Sequence, residues 1–302
     1  MKIAISGLGR MGAQIAQKLA EGGHEVVAHN RSPEPVRAAA EYGATPAFTK
    51  EEVVAAFAGE TPIIWLMIPA NVIDSELDAW LEIVPEGSVL IDGGNSDYRG
   101  DGARAERAAK KGVTLLDIGT SGGVWGYKRG FAMMVGGDKT AYIRLVPALD
   151  TLAAPGGAHD HFGPTGAGHY VKMVHNAIEY GMMESLAEGY RMLKEGPYKD
   201  IDLASAGDVW EKNSVITSWL NDLTRQALHE NPFMEGIDGV VAESGEARWT
   251  LETADNLGIP LPSIQASFDV RLASQKGETT FATKLLAAMR NKFGGHDIQG
   301  KQ

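Results

Sequence analysis

One stretch of the sequence, GPTGAGHYVKMVHNAIEYGMMESLAEGY, concentrates side chains that could exchange protons or bind a polar ligand. Taken as a helix at about 100° per residue, it places five of them on one stripe: Lys172, His175, Asn176, Glu179 and Tyr180. Apolar residues occupy the other side: Val171, Met173, Val174 and Ile178. A base, an amide, an acid and a phenol on one stripe are costly to bury unless ligands or partners satisfy them.

The stripe is therefore either a ligand site or a solvated face that carries ion pairs. The strongly hydrophobic opposite face and the glycines that precede the helix favour a site. We expect this helix to begin near Gly166 and to continue to about Glu195, where Gly196 and Pro197 end it.

A second pattern, near the start of the chain, is typical of a dinucleotide site. Gly7, Gly9 and Gly12 form G-x-G-x-x-G directly after the strand KIAIS and before the helix MGAQIAQKLAEGG. The first glycine permits a tight turn, the second lets a pyrophosphate approach the backbone, and the third allows close packing of helix on strand. The pattern alone is weak, but its strand, turn and helix context predicts a dinucleotide-binding turn instead of a merely tight βα turn.

The end of the second strand bears on the choice of nicotinamide cofactor. NAD sites usually place an acidic residue there, whereas the 2′-phosphate of NADP needs cationic and neutral donors. The segment here is His29, Asn30, Arg31 and Ser32, with no carboxylate, and the planar fork of Arg31 can clamp a phosphate. This favours NADP, with NAD possible if Arg31 only caps a surface turn.

The elements that must position these residues fall into two groups. Up to about Phe162, short apolar runs alternate with amphipathic helical stretches, which predicts a parallel sheet covered by helices on both faces. The predicted strands are KIAIS, EVVAH, PIIWLMI, SVLID, VTLLDI and FAMMVGG. Long helical segments with almost no strand signal follow. We expect an α/β Rossmann-like dinucleotide-binding domain over residues 1–163 and an all-helical substrate-binding and oligomerisation domain over 164–302.

Composition excludes several classes of protein. The 302 residues are 44% hydrophobic and 22% charged, as in a globular protein, and 28 basic against 39 acidic residues give a net charge of -11. That balance argues against a nucleic-acid partner, although a local group of cations can still bind a small anion. The chain has no cysteine, and neither a signal peptide nor a membrane segment is predicted, so we expect a cytoplasmic protein.

Together, GLGRMG, IDGGNSDY, GTSGG and KMVHNAIEYG resemble the 6-phosphogluconate dehydrogenases, decarboxylating enzymes of the pentose phosphate route, within the β-hydroxyacid dehydrogenase superfamily. The resemblance runs along the whole chain, and the length of the chain, 302 residues, matches the short form of these enzymes. It implies oxidative decarboxylation of 6-phosphogluconate to ribulose 5-phosphate and carbon dioxide, without a metal. It also implies that Lys172 is the general base at the C3 hydroxyl and later polarises the ketone, and that Glu179 protonates C1 of the enediol.

The same resemblance assigns further roles by motif. His175 and Asn176 would orient hydroxyls near Lys172, and Tyr180 would contact the phosphate end. Asn95 would lie between nicotinamide and substrate. The substrate carboxylate would meet the GTSGG loop at Ser121, Gly122 and Gly123. The cofactor-binding residues would be Gly7, Leu8, Gly9, Arg10, Met11, Gly12, Asn30, Arg31, Ser32 and Asn95.

The phosphate end contains one departure from the family pattern. Long-form relatives carry a lysine in K-G-T-G-x-W, where this chain has the run Ser244 to Trp249, so one phosphate contact is in doubt; Arg248 either substitutes for it or only caps a helix. Arg271, in FDVRLASQ, matches a phosphate-binding arginine. Arg290 and His296, in RNKFGGH, match residues donated across a subunit interface, which implies a homodimer or homotetramer whose C-terminal segment completes a neighbouring site.

Two other functions remain open. A non-decarboxylating β-hydroxyacid dehydrogenase of the 3-hydroxyisobutyrate type would share the glycine loop, the SGG loop and the lysine, but it needs neither the HNxxEY continuation nor a phosphate pocket. A catalytically silent NADP-binding or scaffolding protein would bind the cofactor without turnover. The presence of Glu179, Arg271, Arg290 and His296 argues against the first, and intact Lys172 and Glu179 argue against the second.

Overall fold

The computed structural model describes residues 1–295 and residue 298, and its chain divides into two compact units, Met1–Met173 and Val174–Gln302. The division falls inside one long helix. No helix among the described residues is both long and apolar enough to cross a membrane.

The first unit contains an eight-stranded sheet in the order β3-β2-β1-β4-β5-β6-β7-β8. Its strands are β1 Lys2–Ser6, β2 Glu25–His29, β3 Thr45–Ala47, β4 Ile63–Leu66, β5 Val89–Asp92, β6 Thr114–Ser121, β7 Ala132–Gly137 and β8 Ala158–Gly163. Because β1 has β2 on one side and β4 on the other, the strand order reverses beside β1. In an open α/β sheet, ligands bind outside the carboxyl ends of the strands at such a switch point.

Helices cover the sheet. In the first unit they are α1 Arg10–Glu21, α2 Pro33–Ala40, α3 Lys50–Ala56, α4 Ile73–Leu81, α5 Asp101–Ala109, α6 Gly126–Arg129 and α7 Lys139–Ala153, with short 3-10 turns at Tyr98–Gly100 and Gly123–Trp125. Side chains of β1 alternate between two hydrophobic clusters, Ile3 and Ile5 in one and Ala4 in the other. Both faces of the sheet are therefore buried, as expected where helices pack on each side.

The prediction of a parallel sheet is wrong for one pair of strands, since β6 and β7 are antiparallel while the other neighbours are parallel. Residues 122–131 connect β6 to β7 and form only a 3-10 turn and the four-residue α6. A parallel crossover needs about a dozen residues or more, usually with a full helix.

Two strands were not predicted. β3 is a three-residue edge strand that contains Pro46, and β8, at the other edge, has the polar sequence AHDHFG. Neither has the apolar run by which the other six strands were recognised, because an edge strand is less buried than a central one.

The described part of the second unit contains helices and no strand. Helix α8, Ala167–Glu195, enters it from the first unit and is followed by α9 Leu203–Trp210, α10 Trp219–Glu230, α11 Glu246–Leu257, α12 Pro262–Ser274 and α13 Phe281–Gly294. The predicted bounds of α8 are thus confirmed closely. One hydrophobic cluster joins Met183 and Tyr190 of α8 to Leu285 of α13, and another joins Tyr180 to Leu251 and Phe268. Helix α8 therefore lies in the core of this unit.

Candidate functional site

The three glycines of the turn between β1 and α1 differ in what surrounds them. Gly7 has a φ of +102°, and a Cβ there would lie 2.3 Å from the carbonyl oxygen of Met67. A Cβ on Gly12 would lie 1.9 Å from the carbonyl oxygen of Gly7, so the start of α1 packs directly on the turn. A Cβ on Gly9 would meet nothing within 4 Å. The fold thus requires Gly7 and Gly12, whereas the space at Gly9 is open to a ligand.

Asn30 connects the end of β2 to the glycine turn. Its Oδ1 accepts a hydrogen bond from the backbone N–H of Leu8 at 3.0 Å, and its Nδ2 donates to the carbonyl oxygen of Ser32 at 3.2 Å. The next residues, Arg31 and Ser32, are exposed, as is Arg10 at the start of α1, and Met11 is half-buried. The side chain of Asn30 therefore shapes the turn, and Arg31 is available at the surface beside it.

Two further loops leave the sheet at the same end as the glycine turn, the end formed by the carboxyl ends of the strands. They do so because β5 and β6 run parallel to β1 and β4. After β5, Gly93 packs so closely on Trp65 that a Cβ would lie 1.8 Å from the indole Nε1, and the exposed Asn95 follows. Ser121 ends β6 and is followed by Gly122 and Gly123, whose φ values are +135° and +51°. The first unit thus brings the predicted residues of the glycine turn, the Asn95 loop and the SGG loop to the carboxyl ends of neighbouring strands.

Lys172 is the predicted catalytic residue that belongs to the first unit. It is only 6% exposed. A Cβ on Gly119 would lie 2.2 Å from the Cβ of Lys172, so the lysine stem lies directly against β6, two residues before Ser121. A larger residue at position 119 would displace the lysine, and the glycine therefore lets α8 approach the strand closely.

A buried group of charged side chains holds the first turn of α8, and sequence reasoning did not identify it. The carboxylate of Asp117, in β6, accepts hydrogen bonds from the backbone N–H groups of Gly166 at 2.7 Å and His169 at 2.9 Å. The Nδ1 of His169 lies 2.7 Å from Oδ2 of Asp101, whose other oxygen bonds to Arg104 at 3.0 Å. Asp92 completes the group.

Burial and the charges of neighbouring groups shift the pKa values of His169, Asp92 and Asp117. Burial alone would lower the pKa of His169, but the hydrogen bond to Asp101 and the nearby carboxylates outweigh it and raise that pKa to about 9. Burial raises the pKa values of Asp92 and Asp117. Ligand atoms of Asp92, Asp101 and His169 lie within 4.8 Å of one another, a donor set that could in principle hold a metal ion. Both oxygens of Asp101 are, however, already bonded to cationic partners, so the contacts themselves form an ion-pair network.

In the second unit, α8 presents an ordered chain of polar contacts. Nδ1 of His175 lies 2.9 Å from Oδ1 of Asn176, and Nδ2 of Asn176 donates to Oε1 of Glu246 at 2.9 Å. Asn176 and Glu246 are buried. Glu246 begins α11, directly after Gly245, whose φ of +102° and hydrogen bond to Glu243 set the turn. Glu246 lies within the SGEARW run, but no local pattern indicated its contact with Asn176.

Tyr180 and Arg271 are in contact. The guanidinium carbon of Arg271 lies 3.2 Å from the centroid of the Tyr180 ring, and the Tyr180 hydroxyl lies 3.3 Å from Oγ of Ser244. Arg271 is only 1% exposed. Its Nη2 reaches Sδ of Met183 at 3.7 Å, a weak acceptor, and its Nη1 has no hydrogen-bond partner within the described residues. A buried guanidinium with so few partners is costly unless an anion binds it.

Arg290, near the end of α13, lies in the same electrostatic environment. Thr280 and Thr283 form a capping box that fixes the start of this helix. Burial and the charge of Arg290 lower the pKa of Arg271, Tyr180 and Glu179 act against both, and the resulting pKa is about 10. Burial likewise lowers the pKa of Arg290, which Tyr180 and Glu179 oppose. The second unit therefore brings these four predicted residues together, while His296 lies outside the described residues.

Comparison with known families identifies the chain. Residues 2–167 match the family model for the NAD binding domain of 6-phosphogluconate dehydrogenase, and residues 168–301 match the one for the 6-phosphogluconate dehydrogenase C-terminal domain. The chain belongs to the 6-phosphogluconate dehydrogenase family. The resemblance seen in the motifs and the predicted fold class are thereby confirmed.

Individual relatives agree with this assignment. The NAD(+)-dependent, decarboxylating 6-phosphogluconate dehydrogenase of Haloferax volcanii is 39% identical over 303 residues, which cover 100% of this chain and 99% of the relative. The solved 6-phosphogluconate dehydrogenase of Plasmodium falciparum superposes with a TM-score of 0.84 at 28% identity, covering 92% of this chain and 63% of that longer chain. The 3-hydroxyisobutyrate dehydrogenase of Mycobacterium tuberculosis superposes with a TM-score of 0.72 over 94% and 97% of the two chains, but at 22% identity it shows only a shared fold.

The departure from the 6-phosphogluconate dehydrogenase pattern now has a structural description. Arg248 is largely exposed and forms an ion pair with Glu243 at the start of α11. This contact is the one expected of an arginine that stabilises the start of the helix. The alternative, that Arg248 replaces the missing lysine at the phosphate, stays a prediction.

Glu184, also on α8, is a second buried group that the motifs did not indicate. Burial raises its pKa to about 7, the charge of Glu188 acts in the same direction, and Arg271 acts against both. A carboxyl on an otherwise apolar stretch of helix could have been singled out from the sequence, but its proximity to Arg271 could not.

Proposed function

We propose that this protein catalyses the oxidative decarboxylation of 6-phosphogluconate to ribulose 5-phosphate and carbon dioxide, with reduction of a nicotinamide dinucleotide. The observation that carries the proposal is the buried Arg271, which faces the ring of Tyr180 near Arg290 and has few protein acceptors. Two buried arginines near each other favour a substrate with a phosphate, which forms strong charge-assisted hydrogen bonds with guanidinium groups. A 3-hydroxyisobutyrate-type substrate has no phosphate to satisfy them.

The names of the relatives support the same reaction. The Haloferax protein is named as a decarboxylating 6-phosphogluconate dehydrogenase, and the Plasmodium enzyme is described in complexes with NADP+ and with 6-phosphogluconate.

In the proposed reaction, α8 supplies both proton-transfer groups. Lys172 removes the proton of the C3 hydroxyl as hydride leaves C3, and the product is a β-keto acid. The ammonium group of Lys172 then stabilises negative charge on the ketone oxygen while the C1–C2 bond breaks and C1 leaves as carbon dioxide, an electrostatic role that a positioned charge fills well. The former C2 becomes C1 of the enediol. Glu179, seven residues along the same helix and therefore about two turns away, donates a proton to C1 of the resulting enediol.

The other predicted residues hold the substrate. Asn176 and His175 would orient its hydroxyls, the loop of Ser121, Gly122 and Gly123 its carboxylate end, and Tyr180 its phosphate end together with the two arginines and His296. We assign residues 1–163 to cofactor binding and residues 164–302 to substrate binding and subunit association.

The glycine turn fits a dinucleotide. The open space at Gly9 admits a pyrophosphate against the N-terminal N–H groups of α1, and Asn95 follows β5 at the same sheet edge. When bound, the nicotinamide ring accepts the hydride from C3. The exposed Arg31 and the absence of a carboxylate at the end of β2 favour NADP, whereas the name of the Haloferax relative shows that NAD serves within the family. No proposed step requires a metal.

We further propose a homodimer or homotetramer. Helix α8 exposes apolar side chains on its outer face, among them Ile178 at 52% and Met192 at 68%. A second copy of the chain is the partner that would cover them, and its C-terminal segment with His296 would complete a neighbouring site, whereas Arg290 lies buried near Arg271 of its own chain. We place this metabolic enzyme in the cytoplasm, and cell fractionation would test that placement.

The test is a balance of products. Purified protein is incubated with 6-phosphogluconate and NADP or NAD, and reduced cofactor, carbon dioxide and ribulose 5-phosphate are measured together; equal amounts of all three are expected. Reduced cofactor without carbon dioxide would instead indicate the non-decarboxylating reaction.

Lys172→Met should abolish turnover and leave nucleotide binding nearly intact, while Lys276→Met, at an exposed position, should change neither. Cofactor binding without turnover in the parent protein would indicate a silent scaffold.

A further inference from the structure

Glu246 makes a contact that determines which way the amide of Asn176 points. Its Oε1 accepts a hydrogen bond from Nδ2 of Asn176 at 2.9 Å, and it is only 2% exposed. A carboxylate can only accept hydrogen bonds, so it must face the NH2 group of an asparagine and never the carbonyl oxygen. The orientation of an amide is otherwise ambiguous by half a turn. Here the chemistry of the partner removes that ambiguity.

The fixed amide in turn determines the protonation of His175. With Nδ2 directed at Glu246, the oxygen Oδ1 of Asn176 lies 2.9 Å from Nδ1 of His175. That oxygen only accepts, so Nδ1 must carry the hydrogen and donate it. In a neutral imidazole the lone pair is then on Nε2, because the hydrogen bond made by one ring nitrogen decides the state of the other.

We infer that Glu246 is a positioning residue that acts through Asn176 to hold neutral His175 as the Nδ1–H tautomer, with Nε2 as a hydrogen-bond acceptor for a hydroxyl of the sugar acid. The identity of that hydroxyl donor rests on the proposed function; the tautomer does not. All three residues lie in the second unit; the His175–Asn176 bond lies within α8, and the Asn176–Glu246 bond joins α8 to the start of α11.

This arrangement serves a substrate rich in hydroxyl groups. If His175 could adopt either tautomer, its Nε2 would be a hydrogen-bond donor in some molecules and an acceptor in others. Only the acceptor form can bind a substrate hydroxyl that donates its proton to the enzyme. Holding one tautomer in advance prepares the site before the substrate arrives. Asn176, contacted on both sides, is correctly oriented at the same time.

The experiment reads the tautomer directly. Protein labelled with 15N-histidine is measured by long-range 1H–15N correlation at a pH where His175 is neutral, without substrate, and the His175→Asn variant identifies its signal among the eight histidines. The expected pattern is the Nδ1–H tautomer. Glu246→Gln keeps the shape, but its amide can face Asn176 with either end, so a mixture of tautomers is expected. Glu252→Gln, an exposed substitution on the same helix, should leave the pattern unchanged.

Kinetics provide a second readout. If 6-phosphogluconate is the substrate, Glu246→Gln should lower kcat/KM for it by about tenfold, while the affinity for the dinucleotide is unchanged. An Nε2–H tautomer in the parent protein overturns the inference, and so does an Nδ1–H pattern that Glu246→Gln leaves intact. If the protein does not turn over 6-phosphogluconate, the proposed function fails, yet the tautomer measurement still decides the role of Glu246.

Discussion

The carboxylate of Asp117 accepts a hydrogen bond from the backbone N–H of His169 at 2.9 Å, although the two residues are 52 positions apart in the sequence. A strand thereby caps the helix that carries Lys172, and the buried anion lies where the positive end of the helix dipole stabilises it. The side chain of His169 is bonded to Asp101 in the same group. The ion-pair network therefore sets the position of α8 relative to β6 within the first unit.

This network predicts a pH dependence of stability. The folded protein raises the pKa of His169 to about 9, against about 6.5 in an unfolded chain, so between pH 7 and 9 the folded state holds a proton that the unfolded state has lost. The free energy of unfolding should fall as pH rises through this window, by up to about 1.4 kcal/mol per pH unit. Urea unfolding at several pH values measures the slope.

His169→Gln should remove that slope. His24→Gln is the matched control, because burial lowers the pKa of His24 and its proton is therefore absent from both states above pH 7. Equal slopes in the parent protein and His169→Gln would contradict the assignment of a retained proton to His169.

The glycine turn offers a comparison of two substitutions. Gly9→Ala places its methyl group where no protein atom lies within 4 Å, so the free energy of unfolding should be unchanged, but the dinucleotide should bind at least about tenfold more weakly. Gly12→Ala drives its methyl group into the carbonyl oxygen of Gly7 and should destabilise the protein by about 1–3 kcal/mol. Thermal unfolding and calorimetric titration of the cofactor measure both effects. If Gly9→Ala binds the cofactor as tightly as the parent protein, the assignment of the pyrophosphate to this turn is wrong.

Residue type and spacing predict those parts of the molecule that depend on local pattern. The six apolar strands, α8 and the glycine turn all follow from short windows of sequence, whereas the edge strands β3 and β8 lack the apolar runs that mark a central strand. The contact of Asn176 with Glu246 joins residues 70 positions apart, and that of His169 with Asp101 joins residues 68 apart. Such pairs depend on the tertiary fold, so no local pattern could indicate them.

Arg31 should discriminate between the two cofactors. If its guanidinium binds the 2′-phosphate of NADP, Arg31→Ala should lower kcat/KM for NADP by about 10- to 100-fold, the range expected for charge-assisted hydrogen bonds, and should leave that for NAD nearly unchanged. Arg37→Ala, on the exposed side of α2, should affect neither. An equal loss of kcat/KM with both cofactors would mean that Arg31 supports the structure of the turn and does not bind the 2′-phosphate.

Arg271→Met separates substrate binding from stability. The KM for 6-phosphogluconate should rise by about 10- to 100-fold, because a charge-assisted phosphate contact is lost. The free energy of unfolding should be unchanged or higher, since a buried and poorly partnered charge is replaced by an apolar side chain of similar volume. Arg191→Met, at the surface of α8 where the arginine pairs with Glu195, is the control and should leave KM unchanged. A strong loss of stability with unaltered KM would make Arg271 a structural residue.

Glu184 should make substrate binding sensitive to pH. Burial raises its pKa to about 7, so its carboxyl loses a proton near neutrality, close enough to Arg271 for the two charges to interact. The new negative charge offsets that of the arginine, and the KM for 6-phosphogluconate should therefore rise by about three- to tenfold between pH 6.5 and 8, where the phosphate itself is mostly doubly charged. Glu184→Gln should remove this rise. Glu188→Gln removes a charge that keeps the pKa of Glu184 high, so it should move the inflection of KM to lower pH. Parallel profiles in the parent protein and Glu184→Gln would exclude the carboxyl at position 184 as the titrating group.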